Sequence, residues 1–282
     1  GGEPGGQGLR NMRDRAAAIR DEVQRSNDRF DLDLEYLSTE QIRAQCKTES
    51  YYQGFLSPHD FQFHPLRYVH GLARTIAAKG GLIHEKTSAR KIVRDGAAWV
   101  VQTSAGQIRA KDVVLCCAVY SDGLDRKLEN AVFPVQTYIT VTKPLSEDAL
   151  AGSVNTPYPA YEMRFASNYY RVLPDRRILW GGRVGLWAEP HDIAKQQIAD
   201  MLKIYPQLTG VVEPELAWSG LMAYAPHKMP QIGKLAPGYW YNTGFGGHGL
   251  IPTTVGGELV ASAIAANDQT IDLFSPFGVN YA

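Results

Sequence analysis

A chain of 282 residues is long enough to bury a substantial core in one or two domains, and its 29 Lys plus Arg balance 29 Asp plus Glu. That balance leaves no basic footprint for nucleic acid or an anionic membrane, and the longest apolar run, Val113 to Tyr120, is strand-sized rather than membrane-spanning. Three cysteines, with Cys116 and Cys117 adjacent in an expected core strand, make no disulfide framework and read as buried, inert thiols in a reducing, cytoplasmic setting. No Cys/His cluster has metal-ligand spacing, so no metal is expected.

The first eight residues read as a mobile glycine-rich lead without signal-peptide character. Leu9, Met12, Ala16, Ile19 and Val23 then recur at helical spacing, and Ser38-Thr-Glu-Gln41 reads as a capping box opening a short helix through about Cys46. His64-Pro65 precedes an apolar helical face of Leu66, Val69, Leu72, Ala73, Ile76 and Ala77, stopped by Gly80-Gly81; His64 itself reads as a cap or core residue rather than a catalyst. Leu82 to Glu85 is an expected strand. A hairpin meander follows, turning at Asp95-Gly96 and at Ser104 to Gly106, and Val113 to Ala118 is suited to a strand buried on both faces.

From Phe133 the pattern becomes β-rich, with expected strands at Val135 to Thr142, Tyr158 to Phe165, Tyr169 to Leu173, Ile178 to Trp180 and Leu216 to Tyr224. A helix is expected from about Asp192 to Tyr205, its apolar side being Ile193, Ile198, Met201, Leu202 and Tyr205, Gln197 aside. This is a mainly antiparallel sheet with helices on one face. Alternation puts Tyr169 and Arg171 on one side of their strand and Tyr170 on the other.

Near the end, the aromatic strand Tyr239 to Tyr241 runs into Gly244, Gly246, Gly247 and Gly249 and then a helix opening near Pro252. The free amides and positive dipole end of such a helix favour an anion or an electron-rich ring edge. Gly244-Phe-Gly-Gly-His-Gly249 also matches G-x-G-x-x-G formally. No second strand follows it with an acidic residue, which disfavours a nicotinamide-dependent dehydrogenase, and a corner whose glycines serve packing alone stays open.

The segment resembles the C-terminal flavin-binding motif of FAD-dependent oxidoreductases of the D-amino-acid oxidase type. Gly244, Gly247, His248 and Gly249 fall on that pattern, as do Thr253 or Thr254, Gly257 and Ala261. His64-Pro65, Gly80 to Ile83 and Ala110 to Tyr120 resemble the middle of the same family. Pro134 to Tyr138, Tyr169 to Arg171, Asp175 to Arg183, Trp218 to Gly220 and Pro230 to Gly233 are similar to its gamma-glutamylputrescine oxidoreductase branch.

The resemblance implies an α/β (α+β) fold, a partial flavin domain of the FAD/NAD(P)-binding type plus a mainly antiparallel substrate domain. Residues 1–60 would be a lead and helical segment of the substrate domain, 61–123 the middle of the flavin domain, 124–228 the substrate domain and 229–282 the end of the flavin domain. The implied chemistry is oxidation of a C–N bond in an amine or amino-acid-like substrate by hydride transfer to FAD. Imine hydrolysis follows, with peroxide formed when dioxygen, rather than another acceptor, takes the electrons.

Gly244, Gly246, Gly247, His248, Gly249, Leu250, Ile251, Thr253 and Thr254 would hold the cofactor; Tyr169, Arg171, Arg183, Trp218 and Tyr224 would serve the substrate, with Trp180 lining the same pocket. Where some members carry a lysine for oxygen activation, this chain has Gly181-Gly182. The strand, G-x-G-x-x-G and helix that bind the ADP half of FAD are not found in it. By this reading the chain alone binds FAD weakly or not at all, and a non-catalytic product of the same fold is the alternative.

Overall fold

The computed structural model describes residues 5–163, 166–186 and 192–279, with side chains from residue 18 onward. In chain order the elements begin with α1 (Gly5–Phe30), β1 (Glu35–Leu37), α2 (Thr39–Gln45), β2 (Gly54–Leu56), α3 (Pro65–Ala78), β3 (Ala89–Asp95), β4 (Ala98–Thr103), β5 (Gly106–Ala110) and β6 (Val113–Leu115). They continue with α4 (Arg126–Asn130), β7 (Phe133–Thr142), α5 (Glu147–Ala151), β8 (Ala160–Tyr161), β9 (Tyr169–Val172), β10 (Ile178–Gly185) and α6 (Ile193–Ile204). The last are β11 (Pro214–Tyr224), β12 (Gln231–Ala236), β13 (Tyr239–Thr243) and α7 (Leu250–Ala266). Two compact units share them: Gly1–Phe63, Tyr138–Val184 and Ala188–Ser219 form the first, and His64–Thr137, Gly185–Trp187 and Gly220–Ala282 the second.

In the first unit, helix α1 already starts at Gly5, inside the stretch read as a mobile lead. Once a helix is nucleated, each added residue costs little, so the glycines at its start are carried along. The side chains of Leu9, Met12 and Ala16 lie outside the described residues, while Val23 is buried. The capping box at α2 forms as its residues dictate, with Ser38 Oγ accepting from the Gln41 amide (3.3 Å) and the Ser38 amide donating to Gln41 Oε1 (2.9 Å).

The main sheet has the strand order β11-β7-β10-β9-β8, with β9 antiparallel to both β8 and β10. Of the strand expected at Tyr158 to Phe165, only Ala160–Tyr161 is laddered, and Phe165 lies outside the described residues. Tyr170, Ile178 and Trp180 pack with Met201, Tyr205 and Leu208 into the core beneath α6. Gln197, the polar exception along the apolar side, is 1% exposed. Its side chain accepts from Thr140 Oγ1 (2.6 Å) and donates to the Tyr138 carbonyl (2.9 Å), so a polar group enters the core fully paired.

In the second unit, β3, β4 and β5 form the expected meander, turning at Gly96 (φ 60) and between Thr103 and Gly106. Strand β13 runs between antiparallel β12 and parallel β6, and all five of its residues are buried. Two expectations fail. Leu82 to Glu85 forms no ladder because no described strand pairs with it, and extended propensity alone does not make a sheet. Strand β6 stops at Leu115, leaving Cys116 and Cys117 exposed rather than buried. The apolar face of α3 is at the surface, with Leu66, Val69, Leu72 and Ile76 all exposed. His64 sits at the start of that helix without a side-chain cap; only its carbonyl is used, by the Tyr68 amide at 3.0 Å.

Candidate functional site

Strand β13 delivers the chain to the glycine turn, and Gly244 and Gly246 take φ 72 and 58, backbone that a side chain resists. A β-carbon on Gly246 would stand 2.8 Å from Tyr224 Cε1, and one on Gly247 2.7 Å from Tyr224 Oη. The turn therefore lies directly on the Tyr224 ring, and a β-bridge between Tyr224 and Phe245 fixes the pair. The family resemblance offered Tyr224 for the substrate side; in the fold its ring lies against the glycine turn.

A short 3-10 turn, Gly246–His248, leads to Gly249 and then α7. The Thr253 amide donates to the Gly249 carbonyl at 2.9 Å, so the amides of Leu250 and Ile251 belong to the first turn, where the helix offers no partner. Pro252 has no N–H to offer, and no side chain caps this end. Leu250 and Ile251 are 49% and 58% exposed, and Gly247 and His248 are exposed too, so the positive tip is open. The helix opens at Leu250, two residues before Pro252, which sits inside its first turn.

Both threonine hydroxyls have partners within the chain. Thr253 Oγ1 donates to the Leu250 carbonyl (3.0 Å), and Thr254 Oγ1 pairs with Tyr68 Oη on α3 (2.9 Å). Of the small residues on α7, Gly256 is buried against Asn242, whereas Gly257 and Ala261 are open. Sequence reasoning also missed three oxygens around the turn: Gln231 Oε1, Asn242 Oδ1 and Thr243 Oγ1 are buried without a hydrogen-bond partner among the described residues. The amide of Gln231 donates to the Ala131 carbonyl (3.2 Å), and its oxygen would lie 2.9 Å from a β-carbon on Gly244. Pro230-Gln-Ile-Gly233 carried the signal, but only as a motif without a role.

In the first unit, β9 behaves as alternation predicts. Tyr170 is 2% exposed and stacks on Trp180 (4.6 Å, 10°), while Tyr169 and Arg171 take the other face. Trp180 is thus core, not pocket wall. Tyr170 Oη lies 2.7 Å from Tyr205 Oη, and burial pushes both hydroxyls far above the ordinary phenol range, so neither ionises. Tyr169 lies across Gly181, where any β-carbon would run into its ring. Arg171 is held by the Phe63 carbonyl (3.2 Å) and Gln62 Oε1 (3.4 Å), partners distant in sequence and therefore unread there. Trp218 is 46% exposed on β11.

Arg183 departs from alternation because Gly182 (φ 158) and Arg183 itself (φ 59) break the pleat. Its guanidinium turns to α6, donating to Asp200 Oδ2 (2.5 Å), Asp200 Oδ1 (3.1 Å) and Gln196 Oε1 (2.8 Å). Burial alone would raise the Asp200 carboxyl, but hydrogen bonds and charge from Arg183 and Lys203 outweigh it and hold the group below its usual value.

No group of three or more His, Cys, Asp or Glu among the described residues is placed to hold a metal, and no described helix is long and apolar enough to cross a membrane. A family model described as FAD dependent oxidoreductase (DAO) matches residues 6–263. Gamma-glutamylputrescine oxidoreductase of Escherichia coli (strain K12) is 30% identical over 267 residues, 94% of this chain and 62% of that protein. The chain spans between 54% and 62% of the length of three curated relatives it matches. Among solved structures, glycine oxidase from Bacillus cereus ATCC 14579 is similar at a TM-score of 0.78 and 19% identity, covering 94% of this chain and 72% of that one. L-proline dehydrogenase from P. horikoshii follows at 0.74 and 17%, covering 88% and 68%. At such identities the likeness is one of fold, here an α/β fold with an antiparallel sheet.

Proposed function

This chain belongs to the FAD dependent oxidoreductase (DAO) family, and from that premise we propose that it oxidises a C–N bond of a small amine or amino-acid-like substrate. The residues of the glycine turn fit the family's cofactor. Gly246 and Gly247 lack β-carbons and so lie flat on Tyr224, the α7 tip is open, and buried oxygens of Gln231 and Thr243 stand without partners beside the turn. Gly244, Gly246, Gly247, His248, Gly249, Leu250 and Ile251 would hold the ring edge. When bound, FAD supplies the acceptor for a hydride from the carbon bearing the amine.

The chain's own residues do the rest. The Leu250 and Ile251 amides, at the positive end of α7, are fixed donors for negative charge that develops during the reaction and need no reorganisation to meet it. Tyr224 holds the turn that aims them. In the first unit, Arg171, braced by Phe63 and Gln62, has the chemistry to pair with a carboxylate. Arg183, committed to Asp200, positions β10 rather than touching substrate. The product imine is hydrolysed by water, and with dioxygen as acceptor the second product is peroxide.

The observation that carries this reading is the uncapped, exposed tip of α7. It is tested by assaying the chain with FAD against γ-glutamylputrescine, glycine and L-proline, reading both peroxide and reduction of an artificial electron acceptor. Turnover that disappears in Gly247→Val, whose β-carbon would stand against Tyr224 Oη and push the turn and the tip out of place, supports it; turnover unaffected by that change overturns the assigned role of the tip. A second reading, weak FAD binding by this chain alone, is favoured by the exposed apolar residues of α3 and of Leu82, Ile83 and Val114 in the unit that carries the turn. Calorimetric titration giving a sub-micromolar Kd for FAD would dispose of it.

A further inference from the structure

The two neighbouring thiols expected in the core stand at the surface, whereas Cys46 is 3% exposed. They follow the last residue of β6, where the backbone turns: Ala118 takes φ 51, and the Tyr120 amide donates to the Cys117 carbonyl at 2.9 Å. Strand β6 is parallel to β13 with Leu115 opposite Tyr241, so both strands bring their carboxyl ends to one edge. One continues into Cys116 and Cys117, the other through Asn242 and Thr243 into Gly244. In sheets with parallel strands that edge is where ligands gather. The orphaned oxygens of Asn242 and Thr243 lie at it as well.

We propose that Cys116 and Cys117 form a modification site, a vicinal dithiol that hydrogen peroxide oxidises reversibly to a disulfide, altering the backbone at the end of β6 and with it the adjacent glycine turn. Burial, and then Cys117 beside it, push the Cys116 thiol up, so Cys117 is the attacking group. Its thiolate attacks a peroxide oxygen and the O–O bond breaks, giving a sulfenic acid and a hydroxide that takes up the thiol proton and leaves as water. The neighbouring thiol then displaces the sulfenic hydroxyl, the S–S bond closes, and a second water departs. Two thiols have lost two electrons and two protons, and one peroxide has gained them. Adjacent Cα atoms stand about 3.8 Å apart across a trans peptide, below the roughly 4.4–6.8 Å that disulfides prefer, so the ring is strained and easily reopened by thiols.

The proposal rests on the assigned turn, and its oxidant is a product of the proposed reaction, so the test supplies peroxide from outside. The chain is treated with equimolar hydrogen peroxide, alkylated, digested and read by mass spectrometry, while amide exchange is followed in the peptide covering residues 244–251. The expected result is a disulfide joining Cys116 to Cys117 that dithiothreitol reverses, with Cys46 untouched. Exchange at 244–251 should change by about threefold or more on oxidation and return on reduction. Cys116→Ser, checked by thermal melting to be folded, should give a trappable sulfenic acid at Cys117, Cys117→Ser should give less, and neither should change exchange. Sulfinic or sulfonic acid without a disulfide, disulfides only between chains, or an internal disulfide that leaves exchange at 244–251 unaltered would each overturn it. No flavin or amine takes part, so failure here leaves the amine-oxidation reading intact, and failure of that reading leaves this result standing.

Discussion

At Gly246 two costs coincide: the left-handed backbone and the Tyr224 ring 2.8 Å from where a methyl would sit. Gly246→Ala is expected to lose about 1–2 kcal/mol from the conformation and more from the contact, read as a lower urea midpoint. Adding Tyr224→Ala should recover the contact part only, and full recovery would show that the backbone conformation costs nothing there. Ala118 is the reverse case, a residue with a β-carbon at φ 51. Ala118→Gly removes about 1–2 kcal/mol of left-handed strain against about 0.5–1 of added chain entropy, so a net rise in unfolding free energy is expected. A fall in the midpoint would mean that the strain is relieved elsewhere.

Among the elements, β9 was readable and β10 was not, for a physical reason. Period-two alternation depends only on a regular pleat, so the opposition of Tyr170 to Tyr169 and Arg171 follows from spacing. The break at Gly182 and Arg183 is paid for by Arg183's bonds to Asp200 and Gln196, partners more than ten residues away that spacing does not reveal. Asp200 titrates below its ordinary value when folded, so its contribution is present above the unfolded carboxylate pKa of about 3.9 and is lost as pH falls through the folded one. The stability gap between the wild type and Asp200→Asn should be flat near neutrality and close below about pH 4. A gap that persists unchanged into acid would assign the loss to shape rather than charge.

At the scale of the whole molecule, the second unit exposes Leu66, Val69, Leu72 and Ile76 along one helix, together with Leu82 and Ile83. Such a face binds apolar dyes and promotes association. Leu66→Ser with Leu72→Ser should therefore reduce anilinonaphthalene sulfonate fluorescence sharply while moving stability by less than about 0.5 kcal/mol per site. A large loss of stability would show the face to be packed in solution.

The amino-acid sequence by itself determined the local grammar of this protein: the Ser38 capping box, the Asp95-Gly96 hairpin, the faces of β9 and the glycine turn before α7. Each of these rests on backbone conformation or on neighbours a few residues away. Only the tertiary structure decided which apolar faces are covered, that Trp180 is core, that Tyr224 backs the turn, that Arg183 points to α6 and that Cys116 and Cys117 meet solvent. Those outcomes depend on which distant segment arrives to pair or pack, and no local pattern encodes the identity of that partner.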